Sequence, residues 1–240
     1  MMENAIEVSG LTKSFDGHAA VNHLSLKVKK GTIFGLLGHN GAGKSTTIDC
    51  ILGTQMPDAG KVSILGNNPA ANRKQLFEKV GVQFQENAFQ KGLKVKEICE
   101  ITHSLYKHPM NWREQLQAFG LSHREKVKVI ELSGGERQKL CILLAMMGHP
   151  EVIFLDELTT GLDPLARREV WRTLEKLKET GVTIFLTSHF MDEVENLCDE
   201  LLVLKNGQTL VSGTVQEVLA CTGAKNMDEA FIQLIEGDVQ

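Results

Sequence analysis

Apolar positions along the chain fall into short alternating runs, continuous runs and helical stripes. Ile6, Val8 and Leu11 alternate with polar neighbours, and Leu24, Leu26 and Val28 do so more clearly up to Lys29-Lys30-Gly31, the period-two pattern of half-buried strands. Largely apolar runs at 32–37, 152–155 and 182–186, interrupted only by Thr32 and Thr183, read instead as strands buried on both faces. Further strands are expected over 60–66 and 80–85. Ile48, Ile51 and Leu52 have helical spacing and stop at Gly53, while Val170, Leu174 and Leu177 mark a helix that opens with Asp163-Pro164 and stops at Gly181, with proline at the first helical position. From about 86 to 129 the spacing turns helical (Val95, Ile98, Ile101, Leu105), breaks at Pro109 and resumes at Trp112, Leu116 and Phe119. This region reads as a helical lobe inserted into an α/β core, and its exposed groove is a candidate docking surface. Leu201–Leu204 and Thr209–Val211 flank Asn206-Gly207, a two-residue hairpin signal, and a short helical tail follows from Val215.

Composition narrows the class. With 240 residues, 42% of them hydrophobic, the chain can bury a large core and fits one α/β domain with a small inserted lobe. A formal net charge of −4 with both signs interleaved leaves no basic stripe, so nucleic acid is not an expected partner. Cys50, Cys99, Cys141, Cys198 and Cys221 lie far apart without a C-x-x-C pair and read as reduced core thiols of a cytosolic protein. No secretory signal opens the chain, and the apolar run 140–147 is too short to span a bilayer. Any service to a membrane would come through a partner.

The candidate chemistry centres on Gly38-His39-Asn40-Gly41-Ala42-Gly43-Lys44-Ser45-Thr46, a P-loop in the required strand-loop-helix context. Polyphosphate is a dense anion that backbone N–H groups can surround only where side chains do not block the approach; Gly38, Gly41 and Gly43 are expected to supply that clearance. Lys44 would reach the β- and γ-phosphates, the Ser45 hydroxyl would ligate Mg²⁺, and Thr46 is placed for the α-phosphate. Phe15, before an early turn, is either core or a platform for adenine, with Val21 lining the same pocket.

Three later segments add polar groups. Leu132-Ser133-Gly134-Gly135-Glu136 opens an apolar helix with a capping box between Ser133 and Glu136, and its glycines leave N–H donors unshielded at the positive end of a helix dipole. The run 152–157 ends in Asp156-Glu157, two carboxylates whose desolvation calls for a cation: Asp156 has the Mg²⁺ implied by Ser45, and Glu157 is free to act as a base on water. His189 ends the next buried strand in the same register, at the strand end where open parallel sheets bind ligands.

Together these residues resemble the nucleotide-binding subunit of ATP-binding cassette (ABC) transporters over nearly the whole chain. The discriminating piece is the Ser-Gly-Gly helix start shortly before the Asp-Glu strand end. The run 159–164 is most similar to the branch serving exporters of drugs, antibiotics, lipids or polysaccharides.

The resemblance implies a P-loop NTPase core with a mostly parallel sheet (1–85 and 130–215), an N-terminal antiparallel β subdomain, an inserted α-helical subdomain (86–129) and a C-terminal helical tail (216–240). It implies ATP hydrolysis with Mg²⁺ held by Ser45, Gln85 and Asp156, and catalysis by Glu157, His189, Gln85 and Lys44. ATP would contact Phe15, Val21, Gly38, Asn40, Gly41, Ala42, Gly43, Lys44, Ser45 and Thr46 of one subunit. Ser133, Gly134, Gly135, Glu136 and Asp163 of a second would complete the site in a head-to-tail homodimer or heterodimer. The implied partner is an integral membrane permease subunit, and the implied location is the cytoplasmic face of the membrane. A soluble ABC-type ATPase of assembly or repair is the alternative.

Two positions depart from the family pattern. Glu136 replaces the usual Gln and places a carboxylate near a γ-phosphate, which predicts weaker binding or turnover. Leu158 replaces the usual Pro and predicts a less constrained loop.

Overall fold

The computed structural model describes residues 3–83 and 89–237. Strands β1 (Asn4–Phe15) and β2 (His18–Lys29) pair antiparallel around Asp16-Gly17. Both turn residues have positive φ, 48° and 81°, as a two-residue hairpin turn that follows the strand twist requires. After β3 (Ile33–Leu37) and helix α1 (Lys44–Leu52), β4 (Ala59–Ile64) joins the free side of β1, giving a sheet in the order β2-β1-β4. A short helix, α2 (Arg73–Leu76), leads into β5 (Val80–Gln83).

The helical segment contains α3 (Val95–Ser104) and α4 (Trp112–Ala118), and continues into α5 (Gly134–Met146). Then come β6 (Val152–Asp156), α6 (Pro164–Glu179), β7 (Thr183–Ser188) and α7 (Met191–Leu197), the last not anticipated from the sequence. The hairpin β8 (Glu200–Lys205) and β9 (Gln208–Gly213) turns at Asn206-Gly207, and α8 (Val215–Thr222) and α9 (Met227–Glu236) follow.

The second sheet has the order β5-β6-β7-β3-β8-β9, parallel except for β9. Its central strands β3, β6 and β7 are buried along their whole length, which explains their largely apolar runs. Phe34, Leu36, Phe154, Phe185, Leu202 and Leu204 join α1 and the antiparallel sheet in one core, where the Phe34 and Phe154 rings lie 5.5 and 5.3 Å from that of Phe185. Their alternates Ile33, Leu37, Ile153, Leu155, Ile184 and Leu186 pack against α5, α6, α7 and α9.

A third cluster joins Val95, Cys99, Trp112, Leu116 and Val129 to Leu140 and Leu143 of α5. The stripe expected on α3 is rotated from the pattern read: Cys99 is buried, whereas Ile101 and Leu105 are 50% and 75% exposed. Cys50, Cys99, Cys141 and Cys198 are buried thiols, but Cys221, expected in the core, is exposed. Among the described residues no helix is long and apolar enough to cross a membrane.

Candidate functional site

The C-terminal ends of β6, β7 and β3 lie side by side, and each delivers polar groups to one rim. Beyond β3 the P-loop encloses a cavity of about 290 Å³ lined by Ala20, Asn40, Gly41, Gly43, Lys44, Ser45, Thr46 and Glu157. The three glycines do different work. Gly41 has φ 81° and open space where a Cβ would be, so it supplies clearance as expected. At Gly38 a Cβ would meet the Leu204 carbonyl oxygen at 2.5 Å, and at Gly43 the Ala20 carbonyl oxygen at 2.3 Å. These two let the loop sit on neighbouring backbone rather than clear a path for phosphate. Ala42 is fully buried and offers the loop only its backbone.

Gly43 precedes α1 with φ 105° and no side-chain cap, so the N–H groups of Lys44, Ser45 and Thr46 have no intrahelical acceptor. They form an anion cradle. The Lys44 ammonium, 6% exposed, donates to the carbonyl oxygens of Gly38 (2.8 Å) and His39 (3.2 Å) and lies 3.6 Å from Glu157 Oε1.

Glu157 has φ 47°, a left-handed conformation that costs a non-glycine residue about 1–2 kcal/mol. It is held there by its N–H, which donates to the carbonyl oxygen (3.2 Å) and hydroxyl (3.0 Å) of Thr187. The Thr187 hydroxyl in turn donates to Asp156 Oδ1. Burial pushes the Asp156 carboxyl above its ordinary value; the Thr187 bond opposes this, the nearby Glu157 charge adds to it and Lys44 opposes it. A buried carboxylate beside a second one suits a hard cation with oxygen ligands, as does the Ser45 hydroxyl on the same rim. Among the described residues no group of three or more His, Cys, Asp or Glu is placed to hold a metal alone.

His189 Nδ1 stands 3.7 Å from Glu157 Oε1. Its ring rests on Phe190 with centroids 4.2 Å apart, the Arg167 guanidinium covers Phe190 at 4.0 Å, and Asp192 pairs with Arg167 at 3.1 Å. Beneath this loop Glu193 is 3% exposed and accepts from Trp171 Nε1 at 3.1 Å. Burial raises its pKa, opposed by the neighbouring Ser188, Thr159 and Trp171 side chains.

The start of α5 forms the expected capping box: Glu136 N–H donates to Ser133 Oγ (3.2 Å) and Ser133 N–H to Glu136 Oε2 (3.0 Å). Its glycines allow close packing inside the same chain, since a Cβ at Gly134 would meet Leu162 at 2.9 Å and one at Gly135 would meet Ala166 at 3.0 Å. Asp163 caps α6, accepting from the N–H groups of Leu165 (2.9 Å) and Ala166 (3.0 Å). Leu158, expected to loosen its loop, is 3% exposed and anchored in the core by its side chain.

Not every expected residue reaches the cavity. Val21 is fully buried in the antiparallel-sheet core; the alternation of the strand gives the rim to Ala20 instead. Phe15 is 46% exposed, so it is not core, and Lys13 Nζ lies 5.3 Å from its ring centroid. Gln85 lies outside the described residues. Thr187, Glu193, Arg167 and Arg124, which bonds Glu136, were not anticipated. Their roles come from cross-strand register and helix packing, which spacing along the chain does not record.

A family profile described as ABC transporter matches residues 21–160. Nod factor export ATP-binding protein I of Rhizobium sp. (strain N33) is 38% identical over 92% of this chain and 76% of its own length. The probable multidrug ABC transporter ATP-binding protein YbhF of Escherichia coli (strain K12) is 36% identical over 97% of this chain, which spans 42% of that longer protein. The bacitracin transport ATP-binding protein BcrA of Bacillus licheniformis is 36% identical over 87% of this chain and 69% of its own. A solved ATP-binding subunit of an ABC transporter superposes with a TM-score of 0.85 at 27% identity, covering 96% of this chain and 99% of that one. The chain belongs to the ABC transporter family as one of its ATP-binding subunits, a nucleotide-binding ATPase that works with the membrane components of a transporter.

Proposed function

We propose that this subunit powers an exporter by hydrolysing ATP between two cassettes paired head to tail. One observation carries the reading: no residue of 132–136 lines the P-loop cavity of its own chain, although the α5 start is, like that of α1, a glycine-rich helix N-terminus. A second subunit facing the first would bring Ser133, Gly134, Gly135 and Glu136 to the phosphates held by Asn40 to Thr46, with Asp163 crossing between sites. Export as the direction is supported by the relatives named for Nod factor export, multidrug transport and bacitracin transport.

Within each site the chain's own groups divide the work. Lys44 and the α1 N–H groups hold the β- and γ-phosphates. The Glu157 carboxylate takes a proton from water as that water attacks the γ-phosphorus and the bond to the β-phosphate bridge breaks. His189, steadied by Phe190 and Arg167, contacts the γ-phosphate, and Phe15 stacks on adenine. Mg²⁺, held by Ser45, Asp156 and Gln85, would when bound offset the charge of the phosphate oxygens. A helical subdomain (86–129) is inserted in the core (1–85 and 130–215), with 216–240 as a tail.

The membrane partner is an integral permease subunit on whose cytoplasmic face the cassette sits. The groove lined by Arg73, Lys74, Phe77, Glu78, Leu105 and Tyr106, with the strongly exposed Leu105, offers it an apolar floor and a charged rim. Loss of the γ-phosphate releases the pair, the general logic of a nucleotide switch. Glu157→Gln is expected to slow hydrolysis about 10²–10⁴-fold while an ATP-dependent dimer persists in light scattering. Hydrolysis at the parental rate would remove Glu157 from the role of base.

A further inference from the structure

Glu136 poses an electrostatic problem that the structure answers. It stands in the first turn of α5, where the reading above brings a triphosphate from the opposite subunit, and an unpaired carboxylate there would repel it. Each of its oxygens is already taken. Arg124 Nε donates to Oε1 at 2.7 Å and Ser133 N–H to Oε2 at 3.0 Å, with His123 Nε2 3.7 Å from Oε1. Burial favours the neutral acid, but the Arg124 and Ser133 bonds outweigh it and hold the Glu136 pKa below its ordinary value. The group therefore stays ionised, and its charge must be met by a cation.

Arg124 is well placed to be that cation. It ends the turn Ser122–Arg124, which is tied down by Arg124 N–H on the Leu121 carbonyl oxygen (2.9 Å) and Val127 N–H on the Arg124 carbonyl oxygen (2.9 Å), with Leu121 itself buried. Among the described residues only its Nε is hydrogen-bonded, and its ion pair is with Glu136. The guanidinium also has a fixed geometry for an acidic partner that a lysine would not supply.

We propose that Arg124 is a positioning residue of the composite nucleotide site: by pairing with Glu136 it lets a helix start that carries an acid receive the triphosphate of the opposite subunit. This rests on the head-to-tail reading. It also replaces the expectation that Glu136 simply weakens the site, because the pair brings no net charge to the phosphates.

The test is a double-mutant cycle of Arg124→Ala and Glu136→Gln, read as KM and kcat for ATP. The same four chains carrying Glu157→Gln are read as the ATP needed for half-maximal dimerisation. Glutamine also serves a capping box, so Glu136→Gln removes the charge and keeps the cap. Arg124→Ala is expected to raise KM and the ATP requirement about tenfold, with kcat changed less than about twofold. In the Glu136→Gln background the same change should cost less than about twofold, and Arg124→Lys should recover part of the loss. The proposal is overturned if Arg124→Ala has no effect, or if its effect is as large with Gln at 136. It is equally overturned if the coupling appears only in thermal melts without nucleotide. A chain carrying Glu157→Gln alone that never dimerises at any ATP concentration would overturn the head-to-tail reading as well, whereas a dimer without coupling overturns the Arg124 role alone.

Discussion

Helices α1 and α5 both begin at glycine-rich turns, yet α1 is entered through Gly43 in a left-handed conformation with no side-chain cap and no acid in its first turn. α5 is entered through Ser133, whose hydroxyl closes a reciprocal box with Glu136. An uncapped terminus leaves donors unmet until a ligand meets them, while a boxed terminus is stable alone. The same subunit thus carries one helix start left open and one completed by its own side chains. The difference implies that the P-loop sets how tightly a lone chain holds ATP, and that the α5 start enters only when a second subunit approaches.

The sharpest way to break this contrast is Gly43→Ala. The new Cβ would stand 2.3 Å from the Ala20 carbonyl oxygen at φ 105°, and the loop must shift or the chain lose about 2–4 kcal/mol of stability. Nucleotide binding, followed by fluorescence of an ATP analogue, should be lost. Gly41→Ala has open space for its Cβ and should fold at a cost of about 1–2 kcal/mol for its left-handed backbone, so it should weaken binding by crowding the phosphate path without the collapse expected at Gly43. Ser133→Ala should be milder, about 1 kcal/mol from the lost cap and about 2–4 °C in Tm; it should weaken ATP-driven dimerisation without changing the ATP affinity of the monomer.

The smallest effect is in the pH dependence of Tm, where two carboxylates behave with opposite sign. Glu136 is held below its ordinary 4.5, so its contribution is present above pH 4.5 and fades as pH falls through its lowered folded value. Glu193 is raised above 4.5, so its contribution is present up to pH 4.5 and fades as pH rises through its raised folded value. The Tm difference between parent and Glu136→Gln should therefore shrink on acidification. Glu193→Gln should instead gain on the parent as pH climbs from 4.5. Parallel curves would contradict both assignments.

The doubly buried strands were plain in the sequence because burial on two faces demands mostly apolar runs, as at 152–155 and, with Thr183 the one polar member, at 182–186. Caps at Ser133 and Asp163 were equally plain, since a cap and its recipient N–H are neighbours in the chain. What escaped depends on contacts between distant segments. Thr187 reaches Asp156 and Glu157 only because β6 and β7 pair in one register. Val21 and Ala20 trade places because one residue along a strand reverses its face. Ile101 and Leu105 have the spacing of a buried stripe, yet the core of the helical layer takes Val95 and Cys99. Arg124 meets Glu136 across a turn that spacing alone does not fold.

That each reaction site is built from two subunits is tested most directly by mixing chains carrying Ser133→Arg with chains carrying Lys44→Ala and measuring ATP hydrolysis against each alone. Each variant should be inactive by itself, and an equimolar mixture should recover roughly a quarter of the parental rate, since half of randomly formed pairs hold one undamaged site of two. No recovery in the mixture, or parental activity from the Ser133→Arg chain alone, would contradict the account.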